Sequence, residues 1–228
     1  RTIDLRLGED FNPFAIGGDG PFDVPLTFVG YGITAPEADY DDYAGTDVTG
    51  RGVIVLRHEP QQNNPHSAFN GTDHSEHAPF RRKISNAFQH GAAAIIFCTG
   101  QIEIGRHVAE WETSIAAAEK ELATATAQGD GERAAQLQKK LSRYAEYLAA
   151  ARDPVLDFTT GGAGSDAREI PVLHCRRGVI DELLAECGQP SLATIEDTID
   201  DTLNPQSFSL PGCRAVGNVD IDRTVVEV

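Results

Sequence analysis

PFRRKISNAFQHGAAAIIFC, residues 79–98, decides the fold class. Its first part predicts a helix over 79–90: Pro79 suits a first turn, and Phe80, Ile84, Ala87 and Phe88 recur at helical spacing on one face. Gly91 is a helix terminator, and Ala92 to Cys98 is an apolar run too short for a second helix. Upstream, Gly52-Val53-Ile54-Val55-Leu56 is another such run, typical of a strand buried on both faces. Strand, helix and strand in that order require a crossover and predict a parallel pair. The fold class is therefore mixed α/β.

Working outward, residues 24–33 (VPLTFVGYGI) predict a strand broken by Gly30 and Gly32. A Pro- and Asp-rich loop covers 35–50, and a polar loop with Asn63-Asn64-Pro65 and Asn70-Gly71 covers 58–78. Ile170-Pro171-Val172-Leu173 predicts a short strand, and Val179, Ile180, Leu183 and Leu184 form the inner face of a helix over 177–187. Alternation of Val219 and Ile221 with Asp220 and Asp222 predicts a final strand over about 218–228.

Residues 105–152 have a different character, rich in Ala, Glu, Gln, Lys and Leu. Val108, Trp111, Ile115, Ala118, Leu122 and Ala125 fall at alternating steps of three and four, as do Ala134, Leu137, Leu141, Tyr144, Leu148 and Ala151. Each series is a heptad stripe, and Gly129-Asp130-Gly131 between them is a turn. The reading is an antiparallel helical hairpin inserted into, and projecting from, the α/β domain. The flexible stretch 159–165 (TTGGAGS) returns the chain to that domain.

Composition narrows function. The 228 residues carry a formal net charge of −16, which disfavours nucleic acid and anionic membrane surfaces as partners. No apolar run reaches the roughly 18–20 residues of a membrane span, and residues 1–6 do not read as a secretion signal. Cys98, Cys175, Cys187 and Cys213 are widely spaced, leaving two disulfides or free buried thiols both open. The chain has no methionine, so it is expected to be part of a longer polypeptide.

Gly30-Tyr31-Gly32-Ile33-Thr34-Ala35 matches a dinucleotide fingerprint, but Pro36 and the acidic residues after it are not the start of a phosphate-binding helix. The glycines instead fit a tight bend. Asp73-His74-Ser75-Glu76-His77, with His58 and His66 nearby, is the most metal-like stretch. A site built on His66, His74 and His77 is the metalloenzyme alternative, set against a solvated loop. No GxSxG elbow is present.

Phe28-Val29-Gly30-Tyr31-Gly32-Ile33, Ala35-Pro36-Glu37, and Asp41 through Leu56 together resemble the protease-associated domain. The resemblance is to the version inserted in zinc aminopeptidases related to glutamate carboxypeptidase and the transferrin receptor. Lys83-Ile84-Ser85-Asn86-Ala87, Gly91 through Ile96, Ile170 through Leu173, and Ser207 through Gly212 extend it in order over about three-quarters of the chain. The 105–152 hairpin departs from the family pattern. The resemblance implies one domain over 1–228 with a swivelling β/β/α-type fold, a β-sandwich or barrel-like sheet flanked by helices. It implies a non-catalytic role in substrate gating or peptide and protein contacts. The expected partner is a downstream catalytic peptidase domain of the same polypeptide, which would hold the zinc, in an exported setting. That zinc site uses a His-x-Asp and a Glu-Glu doublet. None of the seven histidines here is followed two residues later by Asp, and no Glu-Glu occurs, so no cofactor is expected in this chain. A scaffold acting through the hairpin is the remaining alternative.

Overall fold

The computed structural model describes residues 1–157 and 170–222. Its framework is an open six-stranded sheet ordered β1-β7-β6-β5-β2-β8. The strands are β1 (Phe11–Pro13), β2 (Gly20–Val29), β5 (Gly52–Leu56), β6 (Ala94–Cys98), β7 (Val172–Cys175) and β8 (Ser207–Val219). The four central strands, β2, β5, β6 and β7, run parallel, and both edge strands pair antiparallel to their neighbours. A separate two-stranded ribbon joins β3 (Thr34–Ala35) to β4 (Tyr40–Asp41).

The uninterrupted apolar runs of β5 and β6 exist because both sheet faces are covered. Register places Phe28, Ile54, Ile96 and Leu173 side by side across four strands. This row belongs to a core shared with Ile180 and Leu184 of α4 (Arg177–Glu186) and with Leu192, Ile195 and Ile199 of α5 (Leu192–Thr202). On the opposite face Val53, Ile95 and Val172 align, and with Phe14 and Phe97 they pack against Ile84 and Ala87 of α1 (Phe80–Gln89). Helices thus cover both faces of a mixed α/β sheet.

Three expectations need correcting. Phe88 was assigned to the buried face of α1, yet it is 41% exposed while Lys83 is buried. At about 100° per residue Lys83 and Phe88 flank the buried Ile84–Ala87 line at equal angles on opposite sides, and it is the Lys83 side that faces the Gly30–Ile33 turn, where Lys83 donates to the Tyr31 carbonyl. The last strand starts at Ser207 rather than near 218. Gly212 has φ +78° and the four residues Leu210–Cys213 stand opposite Leu26 alone, a bulge that lets pairing with β2 continue to Val219. Residues 223–228 of the expected strand, and the 159–165 return loop, lie outside the described residues. Helix α5 was not expected at all. Ser191 caps it by accepting the Thr194 N–H at 3.3 Å, and Leu203 ends it in a left-handed conformation at φ 52°.

Residues 101–154 are a second compact unit. Helices α2 (Gln101–Ala127) and α3 (Gly131–Ala151) run antiparallel: Arg133 pairs with Glu121 at 2.9 Å beside the turn, and Trp111 packs on Tyr144 and Tyr147 farther along. Asp130 caps α3 by accepting the Arg133 N–H. Every residue of the two heptad stripes is buried or half-buried, and Ala118, Ala125 and Leu137 are the most enclosed of them. The α2 helix begins four residues earlier than its 105 boundary in the sequence reading.

Candidate functional site

The chain leaves β2 at Val29 and bends at once. Gly30 and Gly32 have φ +48° and +65°, and the Gly32 N–H bonds back to the Val29 carbonyl at 2.7 Å. A Cβ on Gly30 would lie 2.3 Å from Asp42 Oδ1, so the turn excludes a side chain there on two counts. Strand β3 and a 3-10 turn over Pro36–Ala38 follow, not a helix aiming its amides at a phosphate.

Around this turn lies a buried polar hub. Asp42 is fully buried, accepting the Ile33 N–H at 3.0 Å and the Tyr40 hydroxyl at 2.8 Å. From α1, the Lys83 ammonium donates to the Tyr31 carbonyl, and Asn86 donates to the Gly32 carbonyl at 3.0 Å and to Thr34 Oγ1 at 3.2 Å. Ser207 of β8 donates to the Asp42 carbonyl at 2.6 Å. Burial pushes the Asp42 carboxyl above the usual carboxylate range, opposed by those donated hydrogen bonds and by the charge of Lys83. Burial equally pushes Lys83 below the ordinary lysine value, opposed by Asp42 and Glu59. With both groups shielded from solvent, what they can do chemically is brace the turn against α1.

A second cluster sits in the 58–78 loop. Glu59 is 2% exposed and accepts both the N–H of Ser75, at 2.8 Å, and its hydroxyl. Ser75 Oγ in turn accepts the His77 N–H at 3.1 Å. The His58 and His74 rings stack at 4.5 Å, and His74 Nδ1 lies 3.8 Å from Glu59. His77 is buried, with Phe69 edge-to-face against its ring and Nε2 at 2.6 Å from Glu37 Oε1. The Glu37 carboxyl is held below its usual range, first by its own backbone N–H and then by His77.

This geometry corrects the histidine set read from the sequence. Among the described residues, the group of three able to share an ion is Glu37, Glu76 and His77; His66 and His74 do not join His77. His66 is exposed and donates its backbone N–H to Asn64, while His74 is turned to His58 and Glu59. Glu37 had been read as part of an acidic loop and of the Ala35-Pro36-Glu37 motif, not as a ligand, and its distance of 40 residues from His77 gave no local signal.

At the carboxyl ends of β6 and β7, Arg177 pairs with buried Glu196 and donates to the Thr99 carbonyl at 3.3 Å. His174 is fully buried and accepts the Leu156 N–H at Nδ1, 3.3 Å away. The ring hydrogen is therefore on Nε2, directed to Thr99 Oγ1 at 3.0 Å. This is a core histidine held from both sides. A shallow groove of about 500 Å³ lies between residues 45–51 and Ser207–Ser209. Arg51, which lines it, already donates to Thr27 and to the Leu26 carbonyl.

Neither the protein-family models nor the curated proteins include a match to this chain.

Proposed function

We propose that this chain is a protease-associated-type accessory domain of a metal-dependent aminopeptidase-like protein. In this reading it performs no catalysis itself and shapes substrate access or peptide and protein contacts beside a catalytic domain of the same polypeptide. Its sheet then corresponds to the swivelling β/β/α-type fold, with the 101–154 hairpin as an added element.

The observation that carries this reading is the convergence of its separate sequence motifs on one hub. The Gly30–Ile33 turn with the neighbouring Asp41-Asp42-Tyr43 segment, the Lys83–Ala87 helix and the Ser207–Gly212 strand are far apart in sequence. Asp42, Lys83, Asn86 and Ser207 nonetheless bond to that turn or to one another. Residues that look chemically interesting are thereby explained as architecture. A disulfide between Cys187 and Cys213 supports an exported, oxidising setting. The dinuclear zinc centre of the peptidase family does not fit the residues present: among the described residues, the group able to share an ion, Glu37, Glu76 and His77, offers three donors, too few to hold two ions.

A peptidase assay on the chain with zinc or cobalt and aminoacyl anilides should show no turnover. Chelator-sensitive cleavage that follows the protein through purification refutes the accessory-domain reading.

A further inference from the structure

We propose that Glu37, Glu76 and His77 form a binding site for a single divalent transition-metal ion of the zinc class. The site serves to clip two loops together and is independent of any peptidase centre. Each of the three side chains offers one donor atom, and these atoms lie within 4.8 Å of one another. Around an ion with bonds of about 2.0–2.2 Å, tetrahedral donors stand roughly 3.3 Å apart, so a small side-chain rotation closes the gap. One imidazole with two carboxylates is a borderline donor set that suits zinc, cobalt or manganese better than a purely oxygen-seeking cation.

The site is preorganised from the protein side. Glu37 is carried by the 3-10 turn, whose ends are fixed by Pro36 and by left-handed Asp39 at φ 52°. His77 is held through a chain of contacts: buried Glu59 fixes Ser75, Ser75 accepts the His77 N–H, and Phe69 packs on both His77 and Tyr40. The His77 side chain is only 7% exposed, which removes its freedom to swing into water, while both carboxylates face solvent and leave the ion an entry path. His77 Nε2 can hydrogen-bond one carboxylate, and it does so with Glu37. A donor atom of Glu76 lies within 4.8 Å of those of Glu37 and His77, so an ion seated there would meet both carboxylates as well as the imidazole. Because the turn and the 58–78 loop are separated in sequence, the bound ion would cross-link them.

The test is cobalt(II) titration of the tag-free chain, read by visible absorption and by zinc displacement, with thermal denaturation in parallel. One equivalent should bind, and zinc should raise the melting temperature. The variant Glu76→Gln changes an exposed carboxylate and should leave the fold intact while weakening binding by roughly tenfold or more. His77→Ala should abolish the cobalt spectrum, whereas His66→Ala and His74→Ala should leave it unchanged. If His77→Ala unfolds the loop, Glu37→Gln and Glu76→Gln decide. Absence of binding overturns the proposal, as does affinity unaltered in those two variants. Loss of binding in His66→Ala or His74→Ala overturns it too, showing adventitious capture by surface histidines.

Discussion

If Lys83 and Asp42 brace the Gly30–Ile33 turn, they should be energetically coupled, and Lys83→Met measures how strongly. Methionine keeps most of the side-chain volume and removes the charge. The Tyr31 carbonyl then loses its buried donor, at about 1–3 kcal/mol. Asp42 also loses its counter-charge, but it can take up a proton. Holding a carboxyl neutral near pH 7 against an unfolded value near 3.9 costs at most about 4 kcal/mol, and burial already imposes part of that in the native protein. The net expectation is about 3 kcal/mol, or a fall in melting temperature of about 6–12 °C for a chain of this size. Asp42→Asn alone should cost less: its carbonyl oxygen keeps the Ile33 N–H, and the Tyr40 hydroxyl can reverse to accept from the new amide. In the double variant neither charge is left unpaired, so the two losses should overlap by about 1–2 kcal/mol. Calorimetry on the four proteins of the cycle is the appropriate assay, because Trp111, the sole tryptophan, reports on the hairpin and not on the sheet. Losses that simply add, within about 0.5 kcal/mol, refute the coupling and with it the bracing role.

In the hairpin, Leu137→Asp places a carboxylate in the most enclosed position of α3 and should destabilise that unit by about 3 kcal/mol or more; Trp111 fluorescence and helical circular dichroism follow it, and an unchanged helical melt contradicts the seam. Leu141→Asp, at a half-buried position, should have a smaller effect in the same direction. The Cys187–Cys213 disulfide closes a separation of 26 residues, worth about 3.5 kcal/mol in the chain-entropy account. Alkylation of the denatured, unreduced protein should therefore label two cysteines, Cys98 and Cys175, and reduction should expose all four and lower the melting temperature; four labelled before reduction disproves the bond.

The parts of the fold that were legible in the sequence are those where one local rule acts alone. Continuous apolar runs marked β5 and β6 because burial on both faces leaves no polar positions. The heptads of α2 and α3 marked a seam because each helix has a single partner. Sequence reasoning failed where tertiary context outweighs the local signal. The Leu192, Ile195 and Ile199 stripe of α5 is diluted by Glu196, which reads as exposed and is in fact buried against Arg177. The last strand was expected only from about 218, because the bulge at Leu210–Cys213 interrupts the alternation and only pairing with β2 makes Ser207–Val219 one strand.

The two clusters in the sheet domain differ in the same physical way. The hub was half visible, since Gly30, Gly32 and Asp42 lie within 13 residues of one another in sequence, and only the reach of Lys83 from α1 had to come from the fold. For the histidine loop, the metalloenzyme alternative rested on adjacency in sequence, which is not adjacency of donor atoms. Ser75 separates His74 from Glu76 and His77, and its bonds to Glu59 and His77 fix the bend that sends His74 toward His58 and His77 toward Glu37. A serine flanked by potential ligands is easily passed over as filler. Here it decides which histidine faces a carboxylate pair, so Ser75→Ala should loosen the His77 orientation and weaken any ion bound there without removing a single donor atom.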